Sequence, residues 1–186
     1  MSKISKNLKL TVYLALLTAI SIICGKYLAI RGGDVMRFSL ENMPIIFAGV
    51  AFGPIAGGIV GLLADLVGCL MVGYTINPLV ALGATAIGII SGIVPYLLKK
   101  TKINQRFITA ISVATAHLIG SVIIKTVGLA AYYDMPFAIL MIWRVINYVI
   151  VGAIDGFVLH ILLKNKEIQM RVRELGGKND DLRGSN

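Results

Sequence analysis

Acidic residues are scarce in this 186-residue chain, nine against eighteen lysines and arginines, and cysteine and histidine are scarcer still, two of each. Each shortage excludes something. No second histidine or cysteine stands at metal-ligand spacing from His117, and His160 is remote in sequence, which argues against a zinc site. No Gly-x-x-x-x-Gly-Lys-Ser/Thr run occurs, so a P-loop ATP site is not expected. Neither Ser91 nor Ser121 sits in a nucleophile motif, and the chain is read as a non-enzyme with no cofactor of its own. Cys24 and Cys69 both fall in apolar segments, where buried reduced thiols are expected rather than a disulfide. The basic lead and apolar run of MSKISKNLKLTVYLALLTAISIICGKYLAI lack a small-residue cleavage site, so a retained first span is expected rather than a signal peptide. No usable internal repeat is visible, which disfavours an inverted-repeat transporter.

What is abundant is apolar surface. A hydrophobic content of 57% and a mean hydropathy of +0.84 exclude an ordinary soluble fold. The pattern predicts an all-α integral membrane protein with six transmembrane helices, at about 8–27, 43–52, 54–70, 78–98, 107–128 and 136–163. They form one membrane domain, 1–166. The tail, 167–186, begins as a possible surface helix and ends in Gly, Asn and Asp, where disorder is expected.

The net charge of +9 is a topology signal rather than a nucleic-acid footprint. Lys3, Lys6 and Lys9 precede the first span; Lys99, Lys100, Lys102 and Arg106 separate the fourth from the fifth; Lys164, Lys166, Arg171, Arg173, Lys178 and Arg183 follow the last. All three segments lie on one side if the spans are even in number. The positive-inside rule makes that side cytoplasmic, with both termini there.

The stretch from Met43 to Gly73 carries one charge, Asp65, and is too long for a single crossing. About 30 residues of helix would run roughly 45 Å against a hydrocarbon core of about 30 Å. The break is written at Phe52-Gly53-Pro54, because proline removes a helix donor and restricts the residue before it. The helix before the break is too short to cross alone, and such helices need protein or a cavity at their ends. Glu41 or Asn42 is expected to cap its N-terminus, with Pro44 in the first turn. The polar, glycine-hinged loop from Leu28 to Asn42 is a candidate lid. Gly53, Gly57 and Gly61 on the third span, and Gly88 and Gly92 on the fourth, recur at a spacing that permits close helix contact.

Five basic residues remain: Lys26, Arg31, Arg37, Lys125 and Arg144, all in the outer half of the predicted topology. A charge near the middle of a span costs about 2.5–3.5 kcal/mol on insertion scales, so it faces a cavity or a partner. Snorkelling suffices for Lys26. Arg144 lies deeper, with Asn147 and Tyr148 on its own face, and favours a cavity; Asp65, Asp134 and Asp155 are candidate ion-pair partners. His117, Ser121 and Lys125 form a stripe on the fifth span, His117 reading as a hydrogen-bonded core residue. Asp65 either accepts two donors from an amidine-like heterocycle edge or pairs with Arg144 or Lys125. Asp155 reads as a helix–helix contact. With aromatic walls from Phe38, Tyr74 and Trp143, these residues describe an outward-facing, positive cavity suited to an anion carrying a flat ring. The candidate ligand set is Arg31, Arg37, Phe38, Asp65, Tyr74, Asn77, Lys125, Arg144 and Asn147.

The run RFSLENMPIIFAGVAFGPIAGGIVGLLADLVG, followed by GYTINP, resembles the second and third helices of an S component of an energy-coupling factor vitamin transporter, most nearly the folate-specific group. The likeness spans most of Asn7 to Lys164 and includes an Ala15-x-x-x-Ala19 pair in the first helix. It implies six helices in a bacterial cell membrane, a vitamin pocket facing outside under a closing first loop, and docking through Ala15 and Ala19 on a transmembrane coupling subunit. Two cytosolic ATPases would supply ATP-driven uptake. It also implies folate as ligand. The alternatives are an S component for another anionic or heterocyclic vitamin, or a self-sufficient ion-coupled transporter.

Overall fold

Gly53 decides how the bundle is built. It holds φ 98° and ψ 173°, a backbone conformation that side-chain-bearing residues rarely adopt, and it separates two helices that would otherwise run on as one. The computed structural model describes residues 3–32, 36–98, 101, 103–133 and 136–175. Helix α1 covers Lys3–Ile22 and passes into a π-helical turn at Ile23–Tyr27. A small antiparallel hairpin follows, β1 at Ile30–Gly32 and β2 at Met36–Phe38, with Arg31 opposite Arg37. Then come α2 at Asn42–Phe52, α3 at Pro54–Met71 and α4 at Pro78–Leu98. A rod runs from α5 at Gln105–Ala116 through a π-helical stretch at His117–Ile124 into α6 at Lys125–Tyr133. Helix α7 spans Phe137–Lys164, and α8, Lys166–Glu174, lies after it.

Among the described residues, five stretches are long and apolar enough to cross a bilayer: Asn7–Tyr27, Pro54–Met71, Pro78–Leu98, Gln105–Tyr132 and Phe137–Lys164. Helix α2 is a further apolar helix and too short to do so unaided. It is instead enclosed by protein, with every residue from Pro44 to Ala51 buried, and it contacts α1, α3, α4, α5 and α7. The all-helical membrane fold holds. The hairpin is the one extended element among the described residues, where the sequence pattern suggested only a polar loop.

The spaced glycines let backbones meet. A Cβ built on Gly57 runs into the Gly88 carbonyl, and one built on Gly88 runs into the Gly57 backbone; Gly61 meets Ala84, and Gly92 meets Pro54. Such contacts replace side-chain knobs with direct backbone packing, the favoured way for helices to associate where lipid competes with apolar side chains. The outer faces are correspondingly apolar: Ile142, Trp143, Ile146, Val149, Ile150 and Phe157 of α7 are exposed. Trp143 therefore lies on the outside of α7 and forms no cavity wall. Helix α8 is capped by Asn165, whose side chain accepts from Glu167 N, and it buries Val172 against the bundle while Arg171 and Arg173 face outward.

Replacing Gly57 by Val should overpack the α3–α4 contact and destabilise the fold by about 1–3 kcal/mol or more. Gly156, which has nothing within 4 Å of a built Cβ, should accept Ala without loss. Thermal melting of the two variants in detergent checks the contrast.

Candidate functional site

Four charged side chains from four elements converge at one end of the bundle. Lys26, in the π-helical turn after α1, Glu41, just before α2, Asp65 of α3 and Lys125 of α6 line a small cleft together with Ser21, Ile22, Ile45, Ala64 and Ala84. Lys125 Nζ lies 3.2 Å from Glu41 Oε1. Lys26 Nζ is 3.6 Å from Cys69 Sγ and stands 5.7 Å from the centre of the Tyr74 ring, a cation–π contact. The Glu41 carbonyl accepts from Ser21 Oγ at 2.6 Å, which fastens the start of α2 to α1.

Glycine makes room for these charges. The Lys125 stem passes Gly83 of α4, where an added Cβ would sit 2.5 Å from Lys125 Cγ; one on Gly68 would sit 2.7 Å from Lys26 Cε, and one on Gly25 would sit 2.5 Å from Glu41 Oε2. Lys125, with a side chain only 5% exposed, thus lies in the interior with its counter-ion beside it. A buried ammonium without such a partner carries a heavy desolvation penalty.

A second polar network lies beside the cleft. Asn42 Nδ2 donates to Ser121 Oγ at 3.3 Å, Ser121 Oγ is 3.4 Å from His117 Nδ1, and His117 Nε2 is 2.9 Å from Asp155 Oδ2. Arg144 Nε donates to the Ser121 carbonyl at 3.1 Å, and its Nη2 to the Tyr148 hydroxyl at 3.4 Å. The His117 and Tyr148 rings are 5.1 Å apart. Ser121 and Asp155 are fully buried and His117 nearly so, so the Ser–His–Asp sequence has no route for a substrate. It clamps α2, the π-helical stretch and α7 together.

A family model described as "ECF-type riboflavin transporter, S component" matches residues 5–167 of the chain. The chain belongs to that family. The S component is also 22% identical over 162 residues, 83% of its own length and 88% of the relative's, to the folate transporter FolT of Clostridium novyi strain NT. Three solved structures share its fold: FolT bound with folic acid, with TM-score 0.64, 22% identity and coverage of 80% of this chain and 88% of that one; the S component of a bacterial ECF transporter, with 0.65, 19%, 88% and 98%; and the S component for biotin from an ECF-type ABC transporter, with 0.65, 21%, 91% and 98%. The family and these neighbours are transporter S components, not enzymes.

Within the S component, Asp65 and Lys125 meet in the cleft, and Tyr74 lies beneath Lys26 at its edge. Arg144 is half-buried one shell away, on Ser121 and Tyr148 rather than on Asp155; Asn147 is buried one turn along the same helix. Phe38 is half-buried at the end of β2. The side chains of Arg31 and Arg37, and all of Asp134, lie outside the described residues. Asn77 is used structurally. Its Oδ1 accepts from Leu79 N at 3.0 Å and its Nδ2 donates to the Gly128 carbonyl at 2.8 Å, capping α4 and tying it to α6. The expected stripe also divides, since His117 turns to α7 while Lys125 turns to Glu41.

Glu41 and Lys26 are the charged cleft residues outside the candidate ligand set; Lys26, expected to snorkel, turns instead to Cys69 and Tyr74. Glu41 is the less expected of the two. It gives α2 no side-chain cap, because its carboxylate is spent on Lys125, and Asn42 does not cap either but reaches Ser121. The available signal was a carboxylate at the mouth of a helix whose neighbours carry surplus positive charge. Cys24 and Cys69 are both free thiols.

Asp155→Ala should strip His117 of its partner and destabilise the S component by about 1–3 kcal/mol. A thermal melt that did not move would show that the clamp between the π-helical stretch and α7 carries no stability.

Proposed function

We propose that this S component is a high-affinity folate-binding subunit for ATP-driven vitamin uptake in a bacterial cell membrane. The observation that carries the reading is the buried carboxylate of Asp65 sharing one cleft with the ammonium groups of Lys26 and Lys125. A pterin presents two adjacent N–H donors that a carboxylate accepts in parallel, and the glutamate tail of folate supplies carboxylates for lysines. Riboflavin, which the family's description names, is uncharged, and its ring edge sets carbonyl acceptors on both sides of a single N–H. A carboxylate matches the pterin edge better.

The cleft as it stands has no room for a drug-sized ligand, so loading requires movement at its mouth. The segment from Leu28 to Asn42 is the element to move: it carries Glu41 into the cleft, and its strand β2 touches α7. Arg31, Arg37, Phe38, Tyr74, Arg144 and Asn147 complete the proposed binding surface, and Asn77 supports it from the base of α4. Capture occurs on the outer side, with both termini cytoplasmic as the basic segments require.

Release on the inner side follows docking on a transmembrane coupling subunit driven by two cytosolic ATPases. Ala15 and Ala19 are exposed on α1, flanked by exposed Val12, Leu16 and Ile20, and so offer a flat small-residue surface for another helix.

Calorimetry on the purified chain should show stoichiometric folate binding that riboflavin and thiamin do not displace. Asp65→Asn should weaken folate by about 10- to 100-fold, as expected for losing a charge-assisted pair of hydrogen bonds. Tight riboflavin binding without folate binding would keep the family and overturn the ligand. A folded sample that binds neither would favour an ion-coupled carrier, tested by collapsing the gradient during uptake.

Ala15→Trp should abolish folate uptake by cells carrying the complete transporter while leaving folate binding to the purified subunit unchanged. Loss of both together would overturn the docking role.

A further inference from the structure

Lys125 is buried, and its partner is the more exposed member of the pair. Glu41 precedes the first turn of α2 at the end of the hairpin segment, and its side chain is 20% exposed where that of Lys125 is 5% exposed. Its carbonyl is held by Ser21, which fixes the backbone there while the carboxylate faces the cleft. Lys125 is the more enclosed of the two, its stem lying against Gly83. Asp65, the other acid in the cleft, projects from the middle of α3 and is fixed by that helix.

We propose that Glu41 is an internal stand-in for the ligand's carboxylate, holding Lys125 in the empty protein and yielding that position when an anionic ligand arrives. The inference rests on the folate reading above and adds a role for a residue outside the candidate ligand set. Exchange of one carboxylate for another keeps Lys125 paired at every stage, so no uncompensated charge is left in the interior. The released Glu41 turns toward the mouth of the cleft, as its partial exposure allows. Because Glu41 directly precedes α2, the exchange links arrival of the anion to the start of that helix. It also sets selectivity: a ring without an anionic tail cannot replace Glu41 on Lys125, and an anion must outcompete it.

The test compares folate with 6-hydroxymethylpterin, which keeps the ring and lacks the anionic tail, by calorimetry on the full chain. In Glu41→Gln the affinity for folate relative to 6-hydroxymethylpterin should rise about tenfold, since the tail no longer competes with a tethered carboxylate. In Lys125→Met the same ratio should fall at least as far. Glu41→Asp, which keeps the charge but shortens its reach, should raise the ratio by a smaller factor and serves where Glu41→Gln does not fold. A ratio that falls in Glu41→Gln or Glu41→Asp would mean that Glu41 holds the ligand itself, and an unchanged ratio would mean that Glu41 does not contest the anion site; either overturns the inference alone. Failure of the unmodified protein to bind folate would overturn the folate reading, and this inference with it.

Discussion

A positive charge inside an apolar helix bundle must keep an opposite charge within contact, and much of this structure follows from meeting that condition at Lys125. The ammonium reaches the interior because Gly83 leaves a channel for its stem, and Glu41 meets it there from the segment before α2. That single pair ties the end of the hairpin to the start of α6 across 84 residues of sequence. Lys26 and Asp65 complete a cleft whose charges come from four separate elements, so its shape depends on how those elements pack.

The same condition governs the neutral polar groups. Helix α2 is too short to bring both ends into water, and its first residue is anchored in protein: Asn42 Nδ2 bonds to Ser121, and Ser121 leads through His117 to Asp155 on α7. The π-helical stretch is where these partners lie, and its Ser121 carbonyl accepts Arg144. Irregular helix inside a membrane domain is tolerable where neighbouring groups bond to it, as Arg144 does to the Ser121 carbonyl. The packing that brings them so close depends on backbone contact at Gly57 and Gly88, without which α3 and α4 would stand farther apart.

Much of this was legible in the order of residues. Phe52-Gly53-Pro54 marks the break between α2 and α3, because a proline N1 and a glycine in a conformation unfavourable to other residues leave no continuous helix. The fourfold glycine spacing marks the α3–α4 contact, and the isolated charges Asp65 and Lys125 mark the cleft, since charge in an apolar run requires a reason. Asp155 is the interhelical contact that its depth suggested. Glu41 was not legible as a cleft residue, because a carboxylate beside a helix start has a sufficient local explanation as a cap. Asn77 erred in the opposite direction: a polar residue at a turn near the cleft resembles a ligand, yet its hydrogen bonds are used within α4 and across to Gly128.

Hydrophobic length, helix breaks and the placing of charge are properties of short windows, and the order of residues was enough to fix them: an all-helical membrane chain, a helix too short to span, and a handful of charges that had to face inward. Which charges meet is a property of distances between helices, and it was settled by packing in three dimensions. Lys125 pairs with Glu41 rather than Asp65 because the hairpin segment delivers a carboxylate to its ammonium, and Arg144 turns to the Ser121 carbonyl and Tyr148 because α7 packs against the π-helical stretch there. Electrostatic attraction falls with separation and strengthens with burial, and neither quantity is written in any local run of residues.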